Sequence, residues 1–216
     1  EGVVAQDPTT STTRPAHRSP FIDDRLDEFR LHHPVPGALA YVSVGEAAWF
    51  GTSGAASTSG ASITSETTFR VGSITKPVVA ALILDAVGRG ELELDVPLGR
   101  LVPELAHPHA PVTIRMVLAH TSGVFDEGNE GDPVDDVTLL PDPGLLAEAQ
   151  ALGDAYRAGT QVVASDRLLI SLAETHDRYF PPGTGFAYSN VNYQVAVRAL
   201  EASTGYTLSD LLEERL

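Results

Sequence analysis

The chain has 216 residues, of which 43% are hydrophobic and 20% charged, with a formal net charge of −15 and no cysteine. This composition gives enough apolar material for a packed core in one or two domains. The negative charge argues against nucleic acid and anionic membrane surfaces as partners, and the lack of cysteine excludes disulfides, thiolate metal sites and a cysteine nucleophile. The sequence has no apolar run of about 18 residues that would predict a bilayer-spanning helix.

The first twenty residues are rich in threonine, serine and proline and show no apolar period. We interpret residues 1–20 as a flexible linker. A tether of this kind often follows a removed signal peptide or a lipid anchor, which favours an exported protein, either secreted or associated with the cell envelope. The alternative is that position 1 is an arbitrary boundary of the sequence.

Residues 21–72 are predicted to form the N-terminal part of an α/β sheet domain. An amphipathic helical pattern covers residues 21–32. Two apolar stretches, 38–44 and 47–51, are separated by a glycine turn and predict a two-stranded hairpin. A short strand-like segment follows at residues 67–71.

Residues 73–216 are predicted to be mostly helical. The segment Pro77–Val87 is apolar all round, which is typical of a buried helix. Proline fits only in the first turn of a helix, so this helix must begin close to Ser73. Further helices are predicted at 114–119 after a Thr113 cap, at 143–157, at 166–176 after a Ser165 cap, from about 192 to 203, and at 208–216.

An acidic segment, residues 126–136, contains six carboxylates and no cation. It predicts an exposed acidic loop, because a run of like charges is usually solvated. A metal site is the alternative, but the segment has no histidine and no calcium-loop spacing.

A serine and a lysine form a first pair of candidate catalytic residues. Lys76 is the only lysine among 14 lysine and arginine residues, and it stands three residues after Ser73. Residues three apart on a helix share a face, so Ser73 Oγ and Lys76 Nζ could meet. Lysine can give up its proton and act as a base, whereas arginine cannot. The pair indicates a serine nucleophile with a lysine base, while a capping serine followed by a solvated lysine is the alternative that the spacing leaves open.

A tyrosine and an asparagine form a second pair of candidate catalytic residues. Tyr188 and Asn190 are two apart on a loop just before a helix, and in an extended segment such residues point the same way. A phenol and a carboxamide together supply a proton relay and a clamp for an amide substrate. On its own this pair is common and usually structural.

Four segments carry a resemblance to a known family. They read FRVGSITK at 69–76, GELELD at 90–95, TIRMVLAHTSG at 113–123 and PGTGFAYSNVNY at 182–193. In this order they resemble the penicillin-recognising serine hydrolases of the class C β-lactamase and DD-peptidase type, which also include esterases and D-amino-acid amidases. The resemblance runs from about Pro36 to the end of the chain and implies an α+β fold, an α/β sandwich with a helical domain.

The resemblance also implies a mechanism without metal or cofactor. Ser73 would form an acyl-enzyme with a D-alanyl peptide, a β-lactam or a small ester, its backbone N–H would supply half of an oxyanion hole, and Lys76 would take its proton. Tyr188 would pass a proton to the leaving group or activate water, and Asn190 would hold the substrate amide. His120 is interpreted as a structural hydrogen bonder at a helix end. The competing interpretation is a catalytically incomplete relative that binds such ligands without turnover.

One family motif is missing. The family places Lys or His, then Thr or Ser, then Gly on a strand opposite the nucleophile, and no such tripeptide follows Asn190. One hairpin is also marginal as a sheet, and the Pro77–Val87 helix would be left with an exposed apolar patch. We therefore expect the remaining strands, and the third motif, to be absent from this chain and supplied as a separate polypeptide or lost by omission.

Overall fold

The computed structural model describes residues 16–57, 59–102, 112–126, 140, 142–158 and 164–216. The chain divides into two compact units, Glu1–Arg70 and Val71–Leu216, called below the sheet unit and the helical unit. Among the described residues, no helix is both long and apolar enough to cross a membrane.

The sheet unit contains a helix, α1 (Pro20–His32), and the strands β1 (His17–Arg18), β2 (Gly37–Val44) and β3 (Ala47–Gly54). The predicted helix and hairpin are thus confirmed. β2 and β3 pair antiparallel around a tight turn, whereas β1 pairs parallel to the other edge of β3. In the described part of the chain β2 is paired only with β3, so this sheet has an open edge.

The predicted linker, 1–20, is too long at its C-terminal end. His17 and Arg18 pair with β3, and Ser19 donates its backbone N–H to the Phe50 carbonyl oxygen at 2.8 Å. The Ser19 hydroxyl then accepts a hydrogen bond from Ile22 N and caps α1. These residues are ordered because the edge of β3 offers backbone partners. Residues 1–15 lie outside the described part of the chain, so the rest of the linker, and export, stay predictions.

The predicted strand at residues 67–71 is wrong. The chain instead makes a turn in which Thr67 N donates to the Thr64 carbonyl oxygen at 3.1 Å, and the residues that follow have no regular structure. β-branched residues favour an extended backbone, but a strand also needs a partner. In the described residues this segment pairs with none.

The helical unit is built around one buried helix, α6 (Asn190–Thr204). Its described helices are α2 (Thr75–Gly88), α3 (Ile114–Leu118), α4 (Pro143–Arg157), α5 (Asp166–Thr175), α6 (Asn190–Thr204) and α7 (Leu208–Arg215). α6 contacts α2, α3, α5 and α7. Its fully buried side chains Val195, Ala199 and Leu200 belong to one core with residues of these neighbours. The predicted caps Thr113 and Ser165 are confirmed, because each side chain accepts a backbone N–H of its helix.

The helix α2 corrects the prediction of a helix buried all round. Val79, Leu82 and Ile83 are buried, but Leu84 on another face is 54% exposed. The sequence is apolar on every face, whereas burial depends on what packs against each face. The exposure of Leu84 is in the direction expected for this helix, while the exposed apolar patch itself stays a prediction.

Candidate active site

Ser73 lies in a 3-10 turn, Gly72–Ile74, that leads directly into α2. The φ angle of Gly72 is +55°, a left-handed conformation that glycine adopts without steric cost. This turn leaves Ser73 exposed, one helical turn before Lys76. Lys76 Nζ donates to Ser73 Oγ at 3.1 Å, so the structure brings the predicted pair together. Ser73 does not cap α2, which removes the alternative of a capping serine.

Tyr188 reaches the same serine from the segment before α6. Its hydroxyl is 2.7 Å from Ser73 Oγ, and Lys76 Nζ lies 4.7 Å from the centre of its ring. The hydrogen bond to Lys76 lowers the pKa of Tyr188, and the hydrogen bond to Ser73 acts in the same direction. Ser73 Oγ is therefore within hydrogen-bonding distance of two groups that could take or return a proton.

Asn190 is the first residue of α6, and its side chain faces Lys76. The Asn190 Oδ1 atom accepts a hydrogen bond from Lys76 Nζ at 2.8 Å. The lysine is thus held between Ser73 Oγ and Asn190 Oδ1. This contact adds a role for Asn190 that the sequence did not indicate, while its proposed grip on a substrate amide stays a prediction.

Asp126 is the site residue that sequence reasoning missed. It was assigned to an exposed acidic loop, but it is only 3% exposed. Its Oδ2 atom accepts two hydrogen bonds from Asn190, from the backbone N at 2.6 Å and from Nδ2 at 3.0 Å. The other carboxylates of that segment, within 127–136, lie outside the described residues. One feature of the sequence does indicate its burial. Asp126 directly follows the apolar pair Val124-Phe125 and stands at the start of the charged segment, not inside it.

His120 joins the end of α3 to the segment that carries Tyr188. Its Nδ1 atom accepts from Ser189 N at 3.2 Å and lies 3.2 Å from Asn192 Nδ2, while its carbonyl oxygen accepts from Ala187 N at 3.1 Å. Burial lowers the pKa of His120, and Lys76 lowers it further, against an opposing effect of Asp126. The imidazole is thus held neutral with Nδ1 as an acceptor, which agrees with its assignment to structure.

Buried polar groups also hold the end of α3 against the segment that carries Tyr188. Ser122, Ser189 and Asn192 are fully buried, and Ser122 Oγ donates to Asn192 Oδ1 at 2.6 Å. Gly123 has a φ angle of +72° and packs so closely on the Phe180 carbonyl oxygen that a Cβ would collide with it. The end of α3 and the start of α6 therefore have one defined relative position.

A cavity of about 420 Å³ opens beside Ser73. Lys76 and Asn190 are among the polar residues that line it, and Val79, Val197 and Leu208 are among the apolar ones. Within the described residues no three His, Asp or Glu side chains are grouped so that they could hold a metal ion. The arrangement therefore joins an exposed hydroxyl, two proton-carrying groups and a space suited to a small side chain or acyl group.

The chain matches the family model described as Beta-lactamase over residues 22–216. It is 31% identical over 210 residues to the esterase EstB of Burkholderia gladioli, covering 94% of this chain and 50% of the relative. It is 29% identical over 198 residues to penicillin-binding protein 4 of Amycolatopsis lactamdurans, covering 89% of this chain and 45% of the relative. The structure superposes on a D-stereospecific amidohydrolase from Streptomyces sp. with a TM-score of 0.66 at 28% identity, over 94% of this chain and 54% of that one.

The chain spans about half the length of the curated relatives it matches. In each of them the matched segment is part of one longer chain. The comparisons therefore give no support to the prediction that a separate polypeptide supplies a C-terminal half.

Proposed function

Because the chain belongs to the Beta-lactamase family, we propose that it is a serine hydrolase that forms an acyl-enzyme at Ser73. The resemblance inferred from four sequence segments and the predicted α+β fold are both confirmed. One observation carries the proposal. Ser73 Oγ lies within hydrogen-bonding distance of Lys76 Nζ and of the Tyr188 hydroxyl at once.

In the proposed reaction, Ser73 Oγ attacks the substrate carbonyl carbon and its proton passes to Lys76. The first N–H groups of a helical turn have no partner within the turn, so the backbone N–H of Ser73 can donate to the oxyanion. Tyr188 then protonates the leaving nitrogen or oxygen, and water releases the acyl group in the reverse sequence of proton transfers. Each positioned acid or base typically contributes about 10²- to 10⁴-fold.

Tyr188 is a second candidate for the group that accepts the Ser73 proton. Its hydroxyl is nearer to Ser73 Oγ than Lys76 Nζ is, 2.7 Å against 3.1 Å. Lys76 also lowers the pKa of Tyr188, which favours the phenolate. In this variant Lys76 supplies positive charge, and Lys76→Arg would keep part of the activity.

The proposed substrates are small esters, D-amino-acid amides or D-alanyl peptides, and β-lactams. Their support is the esterase, the amidohydrolase and the penicillin-binding protein among the similar proteins. A partly apolar cavity of about 420 Å³ beside Ser73 suits a side chain of this size.

Acylation tests the proposal directly. After incubation with a penicillin or a fluorophosphonate, intact-mass spectrometry should show one adduct that maps to the peptide containing Ser73, and Ser73→Ala should show none. A screen of D-Ala-D-Ala peptide, nitrocefin and p-nitrophenyl esters then assigns the substrate class. Unmodified Ser73 with both reagents would contradict the proposal and favour a ligand-binding relative without turnover.

A further inference from the structure

We propose that Asp126 is a positioning residue that fixes the side-chain amide of Asn190 so that its oxygen faces Lys76. The inference deepens the proposed function and rests on it for its kinetic consequence. It assigns a task to a buried carboxylate that touches neither Ser73 nor the cavity beside it in the contacts described above.

The chemistry of the three groups allows only one orientation of the amide. A carboxylate accepts hydrogen bonds and the amino group of lysine donates them through its N–H groups, whereas the Asn190 amide has an accepting end and a donating end. With Nδ2 directed to Asp126, Oδ1 is directed to Lys76, and both bonds form, at 3.0 Å and 2.8 Å. An amide turned by half a rotation would place acceptor against acceptor and donor against donor, and both bonds would be lost.

Asp126 is itself held in place. The Tyr179 hydroxyl is 3.3 Å from both the backbone N and the carbonyl oxygen of Asp126, and Tyr179 N donates to the Gly123 carbonyl oxygen at 2.9 Å. The same Asp126 oxygen that binds the amide also accepts the first backbone N–H of α6. The carboxylate therefore fixes both the main chain and the side chain of Asn190.

The consequence reaches the nucleophile through Lys76. Asn190 Oδ1 and Ser73 Oγ each accept a hydrogen bond from Lys76 Nζ. When Asp126 is lost, the Asn190 amide becomes free to rotate and Lys76 loses its fixed acceptor. A displacement of about 1 Å at a reacting group lowers a rate by about 10²-fold, so a loss of about 10- to 100-fold in acylation is expected.

Kinetics of matched variants test this chain of contacts. Asp126→Ala should slow acylation of Ser73 by about 10- to 100-fold while KM changes little. Asp126→Asn should keep most of the rate, because its Oδ1 can accept both bonds from Asn190. Asp142→Ala is the control, since Asp142 binds the N-terminal turn of α4 but contacts none of the site residues. It should acylate at the wild-type rate.

A double-mutant cycle separates positioning from general support of the fold. In an Asn190→Ala background, Asp126→Ala should cause no further loss of acylation rate, because Asp126 acts through the missing amide. An unchanged rate for Asp126→Ala alone, or an undiminished further loss in the Asn190→Ala background, would overturn the proposal. If Asp126→Ala does not fold, Asp126→Asn decides, and a loss of more than about tenfold in the folded Asp126→Asn protein overturns it equally.

A spectroscopic measurement distinguishes failure of this inference from failure of the proposed function. Lys76 is the only lysine of the chain, so lysine-selective 13C labelling gives a signal that reports its Cε environment without any turnover. This signal should shift or broaden in Asp126→Ala and stay near its wild-type position in Asp126→Asn. If the Lys76 signal is the same in Asp126→Ala as in the wild type, the positioning role of Asp126 is refuted. If the signal changes but Ser73 is never acylated, only the proposed hydrolase function is refuted.

Discussion

The two units bury their side chains to very different degrees. Among the described residues of the sheet unit only Ala48, Gly51 and Ser53 are buried, and the strand residues Val42 and Val44 are 43% and 66% exposed. In the helical unit, by contrast, residues of five helices join one core in which Leu82, Ile83, Leu98, Ile114, Leu200 and Leu211 are fully buried. Every side chain of the candidate site belongs to that unit. The difference shows that an apolar side chain is buried only where neighbouring elements pack closely around it.

The largest effect should come from the chemistry that the helical unit carries. Lys76→Arg should slow hydrolysis of a p-nitrophenyl ester by about 10³-fold, nearly as much as Lys76→Ala, because arginine cannot give up its proton. Arg25→Ala, which removes an exposed cation from α1 of the sheet unit, should leave the rate unchanged. Near-normal turnover by Lys76→Arg would rule out its assignment as the base.

Stability variants measure the difference in burial itself. Leu200→Ala deletes a fully buried side chain of α6 and should lower the free energy of unfolding by about 2 to 5 kcal/mol. Val42→Ala removes a partly exposed side chain from β2 and should cost less than about 1 kcal/mol. Urea unfolding followed by circular dichroism gives both values. Equal losses would mean that the two units are packed alike.

Substitutions at two glycines test the close contact between Gly123 and the Phe180 carbonyl oxygen. Gly123→Ala introduces a Cβ against the Phe180 carbonyl oxygen and should lower the free energy of unfolding by about 2 to 4 kcal/mol. Gly90 has a similar φ angle, +74°, but open space around it. Gly90→Ala should therefore cost only the backbone strain, about 1 to 2 kcal/mol. Thermal and urea unfolding of the pair isolates the steric part, and a Gly123→Ala protein no less stable than Gly90→Ala would contradict the contact.

The smallest effect concerns pH. The pKa of His120 is lowered in the folded chain, first by burial, so below about pH 6.5 the unfolded chain binds a proton that the folded chain does not. Stability from this group is complete above that pH and falls as the pH drops toward the lowered folded value. His120→Asn does not titrate there, keeps an acceptor for Ser189 N, and suits the left-handed backbone at this position, where φ is +56°. Between pH 8 and 5.5 the wild type should lose more stability than the variant, whereas parallel urea curves would contradict a neutral His120.

Local signals explain which elements could be predicted from the sequence. Thr113 and Ser165 stand at the starts of α3 and α5, and a proline marks the first turn of α2, so these helices were predicted close to their observed bounds. The sequence pattern predicts a start of α6 near residue 192, two residues later than the observed start. As a result, Asn190 was expected on a loop although it lies in the first helical turn.

The remaining features depend on contacts distant in sequence. Asp126 begins a run of charges that looks solvated, but it pairs with Asn190, 64 residues later, and is buried. The segment 67–71 has a strand-like composition, but whether it is a strand depends on a partner. The one-sided burial of α2 likewise depends on where α6 packs.

The helix α6 supplies both the centre of the core and, at its first residue, a contact to Lys76. Its buried residues Val195, Ala199 and Leu200 belong to the core of the helical unit, and residues of a shared core are expected to unfold together. The reacting groups thus share the cooperative transition of the core instead of lying on an independently melting loop. Catalytic inactivation and loss of helical signal should therefore coincide along a denaturant titration, which makes turnover itself a sensitive gauge of how much native protein a sample contains.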